Sequence, residues 1–205
     1  VWVNPFNQER YRVSLADTRM IVFWSKNPKP MLDKLSEIEA LGFRQYYFQF
    51  TLNDYVVEGL EPNVPPVAER IDTFKRLAGR IGKSRVIWRF DPLLLSDSVT
   101  VEVLIDKIAA IGYELQGFTE KLVFRFADIQ AYRKVSKNLS GTNCREFSSD
   151  EKIGFAKGLH DVSLSLGLEM ATCAEDIDLS EYGIRHNKCV DDDLMVRLFH
   201  DDAKL

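Results

Sequence analysis

Two charged residues interrupt one of the most apolar stretches of the sequence. In VIWRFDPLLL, residues 86–95, Arg89 and Asp91 stand among aliphatic and aromatic neighbours. Because successive side chains of a strand point to opposite faces, Trp88 and Phe90 should face one way and the two charged side chains the other. Burying charges is costly unless they are paired or serve a site. The pattern therefore predicts either an ion pair or a functional site on one face of a buried strand.

Further polar residues occur near the carboxyl ends of the other apolar runs. The carboxyl ends of the strands in a (β/α) barrel form its active-site face. We therefore predict that these residues line one pocket with Arg89 and Asp91. The predicted catalytic residues are Arg89, Asp91 and Arg125. The predicted substrate-binding residues are Lys26, Asn27, Gln49, Thr51 and Glu175. For Lys26, a solvated side chain at the end of the strand is an equally good interpretation.

The charged residues of this predicted pocket have two interpretations. In the functional one, Arg89 and Arg125 hold a carboxylate or phosphate through paired hydrogen bonds, and Asp91 orients them or acts as a base. In the structural one, the same residues and Gln49 form a polar plug that satisfies itself and fixes the strand register. Because the residues come from separate strands yet share one end, the functional interpretation is favoured.

The composition is that of an ordinary globular protein. The chain has 205 residues, of which 45% are hydrophobic and 28% charged, and its formal net charge is -4. No apolar stretch reaches the length of a membrane span, and nothing resembles a secretion signal at the beginning. The net charge gives no field that would attract nucleic acid. We expect a small, anionic ligand as the partner, and neither a membrane nor a nucleic acid.

Five apolar runs, each followed by an amphipathic or polar stretch, organise the chain. Strands that alternate with helices predict a parallel sheet with right-handed crossovers. No Gly-rich phosphate loop follows a strand, and the polar strand ends favour a TIM-barrel-like α/β fold. With only five units and a turn signal at N-P-F-N, the predicted fold class is a partial (β/α) barrel with an N-terminal β-hairpin. The runs are residues 20–28, 46–52, 86–95, 122–128 and 168–175.

The helical stretches between the runs have recognisable features. Residues 30–42 place Leu32, Leu35, Ile38 and Leu41 on one helical face, with Gly42 as the C-cap, and predict a single helix. Ser148 and Glu151 have the spacing of a capping box, which predicts a helix that begins after Ser148.

The three cysteines, Cys144, Cys173 and Cys189, are widely spaced. An odd number in a chain of this size argues against a disulfide framework and for a reducing compartment, so we expect a cytoplasmic protein. His186 and Cys189 have an H-x2-C spacing, but no CxxC motif accompanies them. From the residues alone, the cysteines are best interpreted as small core side chains.

Several longer strings along the chain are distinctive: VFWSKNP (22–28), YYFQFTL (46–52), LEPNVPP (60–66), RVIWRFDP (85–92), ATCAEDIDLSEYGI (171–184) and CVD (189–191). They resemble a bacterial domain-of-unknown-function family, number 1848, and the resemblance runs through nearly the whole chain. Members of that family end in a cysteine cluster like that of radical-SAM enzymes. The resemblance therefore implies a [4Fe–4S] cluster and S-adenosylmethionine as cofactors of the full-length protein, inside a partial (β/α) barrel.

The chain departs from the family pattern at both ends. The family cysteine cluster would follow Leu205, and the family's first strand is missing. We therefore expect residues 1–205 to be one barrel-like domain that lacks N- and C-terminal elements, with no cofactor bound by this chain alone. By resemblance, Cys173 and Cys189 are metal ligands, which complete an auxiliary cluster with further thiols. If so, their sulfurs should lie near one another even when no metal is bound.

Three functions follow as hypotheses. The first is the core of an iron–sulfur, radical-SAM-like enzyme whose substrate the sequence does not define. The second is a metal-independent barrel enzyme that acts on a small anionic or phosphorylated substrate through Arg89, Asp91 and Arg125. The third is a binding module that uses the same pocket without chemistry.

Overall fold

A computed structural model describes residues 2–4, 7–12, 14–131 and 133–200, and the side chains of all of these except residues 2 and 134. The first element is a small antiparallel hairpin of β1 (Trp2–Val3) and β2 (Arg10–Tyr11). The hairpin was predicted from the sequence, although part of its N-P-F-N turn lies outside the described residues.

Six parallel strands form the central sheet, one more than the sequence predicts. They are hydrogen-bonded in their order along the chain, with β3 and β8 at the two edges. The α/β prediction with a parallel sheet is thus confirmed, but the sheet is open and is not a closed barrel. The strands are β3 (Ile21–Ser25), β4 (Tyr46–Thr51), β5 (Val86–Leu93), β6 (Lys121–Phe126), β7 (Glu169–Cys173) and β8 (Ile184–Asn187).

Seven α-helices occur in the described part of the chain. The single helix predicted over residues 30–42 is instead two short helices, separated by a turn at residues 33–34. The predicted capping box is present, because the Ser148 hydroxyl accepts from the Glu151 amide and the Glu151 carboxylate accepts from the Ser148 amide. The helices are α1 (Lys29–Leu32), α2 (Leu35–Ala40), α3 (Val67–Ile81), α4 (Val101–Leu115), α5 (Arg133–Leu139), α6 (Ser149–Leu166) and α7 (Asp192–Leu198).

The two faces of the sheet have different coverings. One face carries large aromatic side chains, including Phe50, Trp88 and Phe124, which belong to the core that α1–α6 complete. We call this the outer face. The opposite, inner face carries smaller side chains such as Ile87 and Ala171, which pack against Leu194 and its neighbours on α7. The inner face is therefore the less heavily covered of the two, with α7 as its one helix among the described residues.

None of the helices in the described ranges combines the length and apolar character needed to cross a membrane.

Candidate functional site

Arg89 occupies the centre of the inner face and is fully paired at its terminal nitrogens. Its Nη1 donates to Oε1 of Gln49 at 2.7 Å, and its Nη2 donates to Oδ2 of Asp91 at 2.7 Å. The side chain of Arg89 is 0% exposed, whereas that of Asp91 is 17% exposed. The structure therefore brings together these three sequence-predicted residues, in a buried ion pair that strand alternation places opposite Trp88 and Phe90.

Trp24 of β3 covers this ion pair from the solvent side. The guanidinium carbon of Arg89 lies 4.3 Å from the centre of the indole ring, which is the geometry of a cation–π contact. The indole Nε1 donates to the hydroxyl of Thr51 at 3.2 Å, which fixes the orientation of the ring. Thr51 thus belongs to the site, but through Trp24, which the sequence pattern does not single out.

Cys173 and Cys189 meet at the same end of the sheet. Their sulfurs are 3.1 Å apart, although the residues are separated by 16 positions in the chain. Cys173 is the last residue of β7 and is buried in the inner core, while Cys189 follows β8 and is exposed. The expectation that the two thiols lie side by side is therefore met, whereas their role as metal ligands stays a prediction.

The segment after β8 crosses the inner face and holds Cys189 in place. Nε2 of Gln49 donates to the backbone carbonyl of Cys189 at 2.6 Å, and the amide of Asp191 donates to the hydroxyl of Tyr47 at 3.3 Å. Gln49 and Tyr47 lie on β4, three strands away from Cys173 on β7. In a flat sheet that separation is about 14 Å, at about 4.8 Å per strand. Cys189 therefore bridges two strands of the inner face that are three positions apart in the sheet.

Two opposing effects act on the pKa of the Cys173 thiol. Burial raises the pKa of the Cys173 thiol, and the neighbouring sulfur of Cys189 raises it further. The guanidinium of Arg89 acts in the opposite direction, because a positive charge near the sulfur favours the thiolate. Arg89 is thus the counter-charge available to a thiolate at Cys173.

Arg125 lies on the inner face of β6, the strand next to β7. The β6–β7 register pairs Phe124 with Thr172, so that one residue further along Arg125 is next to Cys173. Its Nη2 lies 3.5 Å from Oδ2 of Asp128 in a partly exposed ion pair. Continuing this register puts Arg125 beside Cys173 along the neighbouring strand, and its ion pair with Asp128 is separate from that of Arg89 and Asp91.

Glu175 is engaged in structural contacts beyond the end of β7. Its Oε1 accepts from the amide of Phe126 at 2.9 Å, and its Oε2 accepts from Nζ of Lys152 on α6 at 3.0 Å. Burial raises the pKa of the Glu175 carboxyl, and Lys152 opposes that rise. These contacts attach the end of β7 to α6 and do not direct the carboxylate toward Arg89.

Lys26 and Asn27 have partners outside the Arg89 cluster. Nζ of Lys26 contacts Oε1 of Glu61 at 2.5 Å, and Oδ1 of Asn27 accepts from the amide of Lys29 at the start of α1. These two residues were selected because they close the first apolar run, and β3 ends before them, at Ser25. Their predicted contact with a substrate remains a prediction.

Asn53 is a buried site residue that sequence reasoning missed. Its Oδ1 accepts from the amide of Asp91 at 2.9 Å, and its Nδ2 donates to the Asp91 carbonyl at 3.0 Å and to Glu61 at 3.3 Å. Arg70 of α3 donates to the Asn53 carbonyl at 2.9 Å. Asn53 therefore holds the backbone of Asp91 from both sides. Its position two residues after a buried strand is the signal that could have identified it.

The other candidate ligands do not join the thiol pair. Cys144 borders a separate cavity of about 520 Å³ that Ser96, Asp97 and Asn143 also line. Nδ1 of His186 is 3.5 Å from the hydroxyl of Thr172, whose strand neighbours Ala171 and Cys173 face the other way. His186 itself lies in β8. Among the described residues, the candidate metal ligands that meet at this end of the sheet are therefore the thiols of Cys173 and Cys189.

Three comparisons with known proteins bear on identity. A family model described as "Domain of unknown function (DUF1848)" matches residues 1–205. No curated protein matches. Among solved structures, a citrate lyase from Burkholderia xenovorans LB400 is 10% identical, with 89% of this chain and 77% of that chain covered and a TM-score of 0.25. A similarity this low carries no argument about fold or function.

Proposed function

Since the chain belongs to the domain-of-unknown-function family DUF1848, we propose its function from the inner face: it is the core of an iron–sulfur enzyme in which Cys173 and Cys189 bind one shared iron. The substrate is proposed to be a small anion that approaches beside Arg89 and Arg125. The proposal takes the role of the two thiols from the family resemblance and their mode of binding from the geometry.

The observation that carries this proposal is the 3.1 Å separation of the two sulfurs. Two thiolates on one tetrahedral ion, with metal–sulfur bonds of about 2.3 Å, lie about 3.8 Å apart. Thiolates on two different irons of a bridged cluster lie about 6 Å apart. The pair must open by about 0.7 Å to chelate one ion but by about 3 Å to bind two irons. The geometry therefore favours a shared iron, either mononuclear or one iron of a [2Fe–2S] cluster.

The [4Fe–4S] centre that binds S-adenosylmethionine does not fit this thiol pair. Such a centre needs three thiolates, and within the described ranges Cys144 borders a different cavity. We therefore derive no step through that cofactor. The positions on the proposed iron that Cys173 and Cys189 leave open would be filled by sulfide or by a bound ligand, since soft sulfur donors suit iron.

Residues of the inner face have defined tasks in this proposal. Arg89 stabilises the thiolate of Cys173, and Asp91 and Gln49 hold Arg89 in place through two hydrogen bonds of 2.7 Å. Trp24 excludes water from one side of the guanidinium. The bound iron supplies Lewis-acid or one-electron chemistry when present, and the protein supplies the charge and the orientation.

The arrangement of the strands supports an enzyme rather than a structural protein. The strands of the open sheet follow their chain order with helices α1–α6 on one face, an order that a segment of a (β/α) barrel would also have. In that fold the active site lies at the carboxyl ends of the strands, where Cys173 is found. Thiols that remain free suit a reducing compartment, and we propose the cytoplasm as the location.

The alternative of an anion-binding module without metal has one supporting observation. Nε of the buried Arg89 has no hydrogen-bond partner among the described residues. However, both terminal nitrogens of this guanidinium are occupied, and a bidentate anion would have to displace Asp91. The thiol pair therefore supports the iron proposal more directly than Arg89 supports anion binding.

The test is anaerobic purification of the chain, followed by measurement of iron, sulfide and visible absorption. We expect iron in the wild type and in Cys144→Ser, the matched control, because Cys144 lies elsewhere. We expect its loss in Cys173→Ser, Cys189→Ser and the double variant. Iron content that is unchanged in the double variant would show that neither thiol is a ligand, and the proposal would then be abandoned.

A further inference from the structure

The two thiols of the inner face differ sharply in accessibility. Cys189 is exposed, whereas Cys173 is 1% exposed at the end of β7. An external reagent can therefore reach one sulfur but not the other. The second sulfur is nevertheless 3.1 Å from the first, about 1 Å beyond the length of a disulfide bond. This combination is typical of an attacking cysteine with a resolving cysteine behind it.

The segment that carries Cys189 is fixed rather than free to move away. Its backbone is anchored to β4 by the hydrogen bond from Gln49 to the Cys189 carbonyl, at 2.6 Å, and by that from the Asp191 amide to Tyr47. Asp191 is also the N-cap of α7 and contacts Nζ of Lys121 at 3.0 Å. Because both sulfurs are held on anchored backbone, their effective concentration toward each other is high.

We propose that Cys173 and Cys189 form a reversible disulfide by exchange with a low-molecular-weight disulfide, and that this bond switches the metal site off. Control of the metal rests on the proposed function, whereas formation of the disulfide does not. A disulfide offers no thiolate, so the oxidised pair cannot hold iron. Conversely, thiolates that bind iron are unavailable for exchange.

The exchange proceeds in two balanced steps. First, the Cys189 thiolate attacks one sulfur of the disulfide RSSR; a mixed disulfide forms and RS⁻ leaves. Second, the Cys173 thiolate attacks Sγ of Cys189; the internal disulfide forms and the second RS⁻ leaves. Two protein thiols and RSSR thus give the protein disulfide and two RSH, with two electrons passed to RSSR. The second step needs little movement, because the two sulfurs are 3.1 Å apart.

The experiment uses the whole chain, reduced and metal-free, with oxidised glutathione as the oxidant. We expect a product about 2 Da lighter than the reduced chain, linked between Cys173 and Cys189 in peptide maps, while Cys144 remains open to alkylation. Excess reduced glutathione should restore all three thiols. A wild-type chain that accumulates a stable glutathione adduct, or that never forms the internal link, would overturn the proposal.

Two variants separate the roles of the thiols. Cys173→Ser should trap the glutathione adduct on Cys189, because the resolving thiol is missing. Cys189→Ser should react with oxidised glutathione at Cys173 about tenfold more slowly, because that sulfur is buried. Equal adduct formation in the two variants would refute the assigned order of attack.

Metal content is measured separately on reduced and oxidised samples. A chain that forms the link but never binds iron upholds the disulfide and refutes the iron centre. A chain that binds iron but does not form the link refutes the disulfide alone. Iron binding that is unaffected by the link would refute the switch.

Discussion

Removing the carboxylate of Asp91 should destabilise the fold by about 3 kcal/mol, because it leaves a buried guanidinium without its counter-charge. Arg89 is 0% exposed, and its Nη2 lies 2.7 Å from Asp91. Loss of one partner of a buried ion pair costs about 3–5 kcal/mol. For Asp91→Ala we expect the lower end of this energy range, since Arg89 keeps its hydrogen bond to Gln49 and its contact with Trp24.

The assay is urea unfolding of the variant against a matched control on the same face. Asp128→Ala removes the partner of Arg125, but that pair is 3.5 Å long and its side chains are 26% and 47% exposed. An exposed pair of this kind contributes no more than about 1 kcal/mol, so the control should change stability by about 0.5 kcal/mol. The variants should be compared through the unfolding midpoint at an unchanged slope.

A double variant distinguishes the charge effect from lost packing. Arg89→Met combined with Asp91→Ala should recover most of the lost stability, since no unpaired charge then remains buried. Equal, small losses for Asp91→Ala and Asp128→Ala would refute the description of Arg89 and Asp91 as a buried pair.

Two further predictions concern α6. Gly154→Ala should raise the free energy of unfolding by about 0.5–1 kcal/mol, because nothing lies within 4 Å of the added Cβ. Gly158→Ala should not raise the free energy of unfolding, because Cδ1 of Ile105 lies 2.4 Å from the new Cβ. Urea unfolding checks both, and an equal gain in the two variants would contradict the close packing of α4 against α6. Arg145 lowers the pKa of Glu151 from 4.5 to about 2, so the stability that this carboxylate contributes is present above pH 4.5 and is lost as the pH falls toward 2. Glu151→Gln should therefore flatten the stability profile across that range, and an unchanged acid profile would show that the ion pair with Arg145 contributes nothing.

The sequence predicts the strands that carry apolar runs and the faces of their side chains. Alternation in residues 86–91 is sufficient to place Arg89 opposite Trp88, and the structure agrees. β8 was missed because IRHN has one apolar residue, so neither periodicity nor β propensity marks it as a strand. The helix predicted over residues 30–42 divides because the turn at residues 33–34 interrupts the hydrogen-bond ladder.

The site itself depends on contacts that no local pattern encodes. Gln49 contacts Cys189 across 140 residues, and the two thiols meet only because β8 adds next to β7. The residues alone favoured core cysteines, whereas the family resemblance suggested that the sulfurs are neighbours. Asn53 and Trp24 were missed because their importance arises from tertiary partners, the Asp91 backbone and the Arg89 guanidinium.

Iron K-edge X-ray absorption on the iron-loaded chain tests the shared iron most directly. We predict sulfur neighbours at about 2.3 Å, the length of a typical metal–thiolate bond. Cys173→Ser and Cys189→Ser should each remove one sulfur from the same iron, while Cys144→Ser should leave the spectrum unchanged. An iron environment that is identical in the wild type and in both single variants would contradict a centre chelated by Cys173 and Cys189.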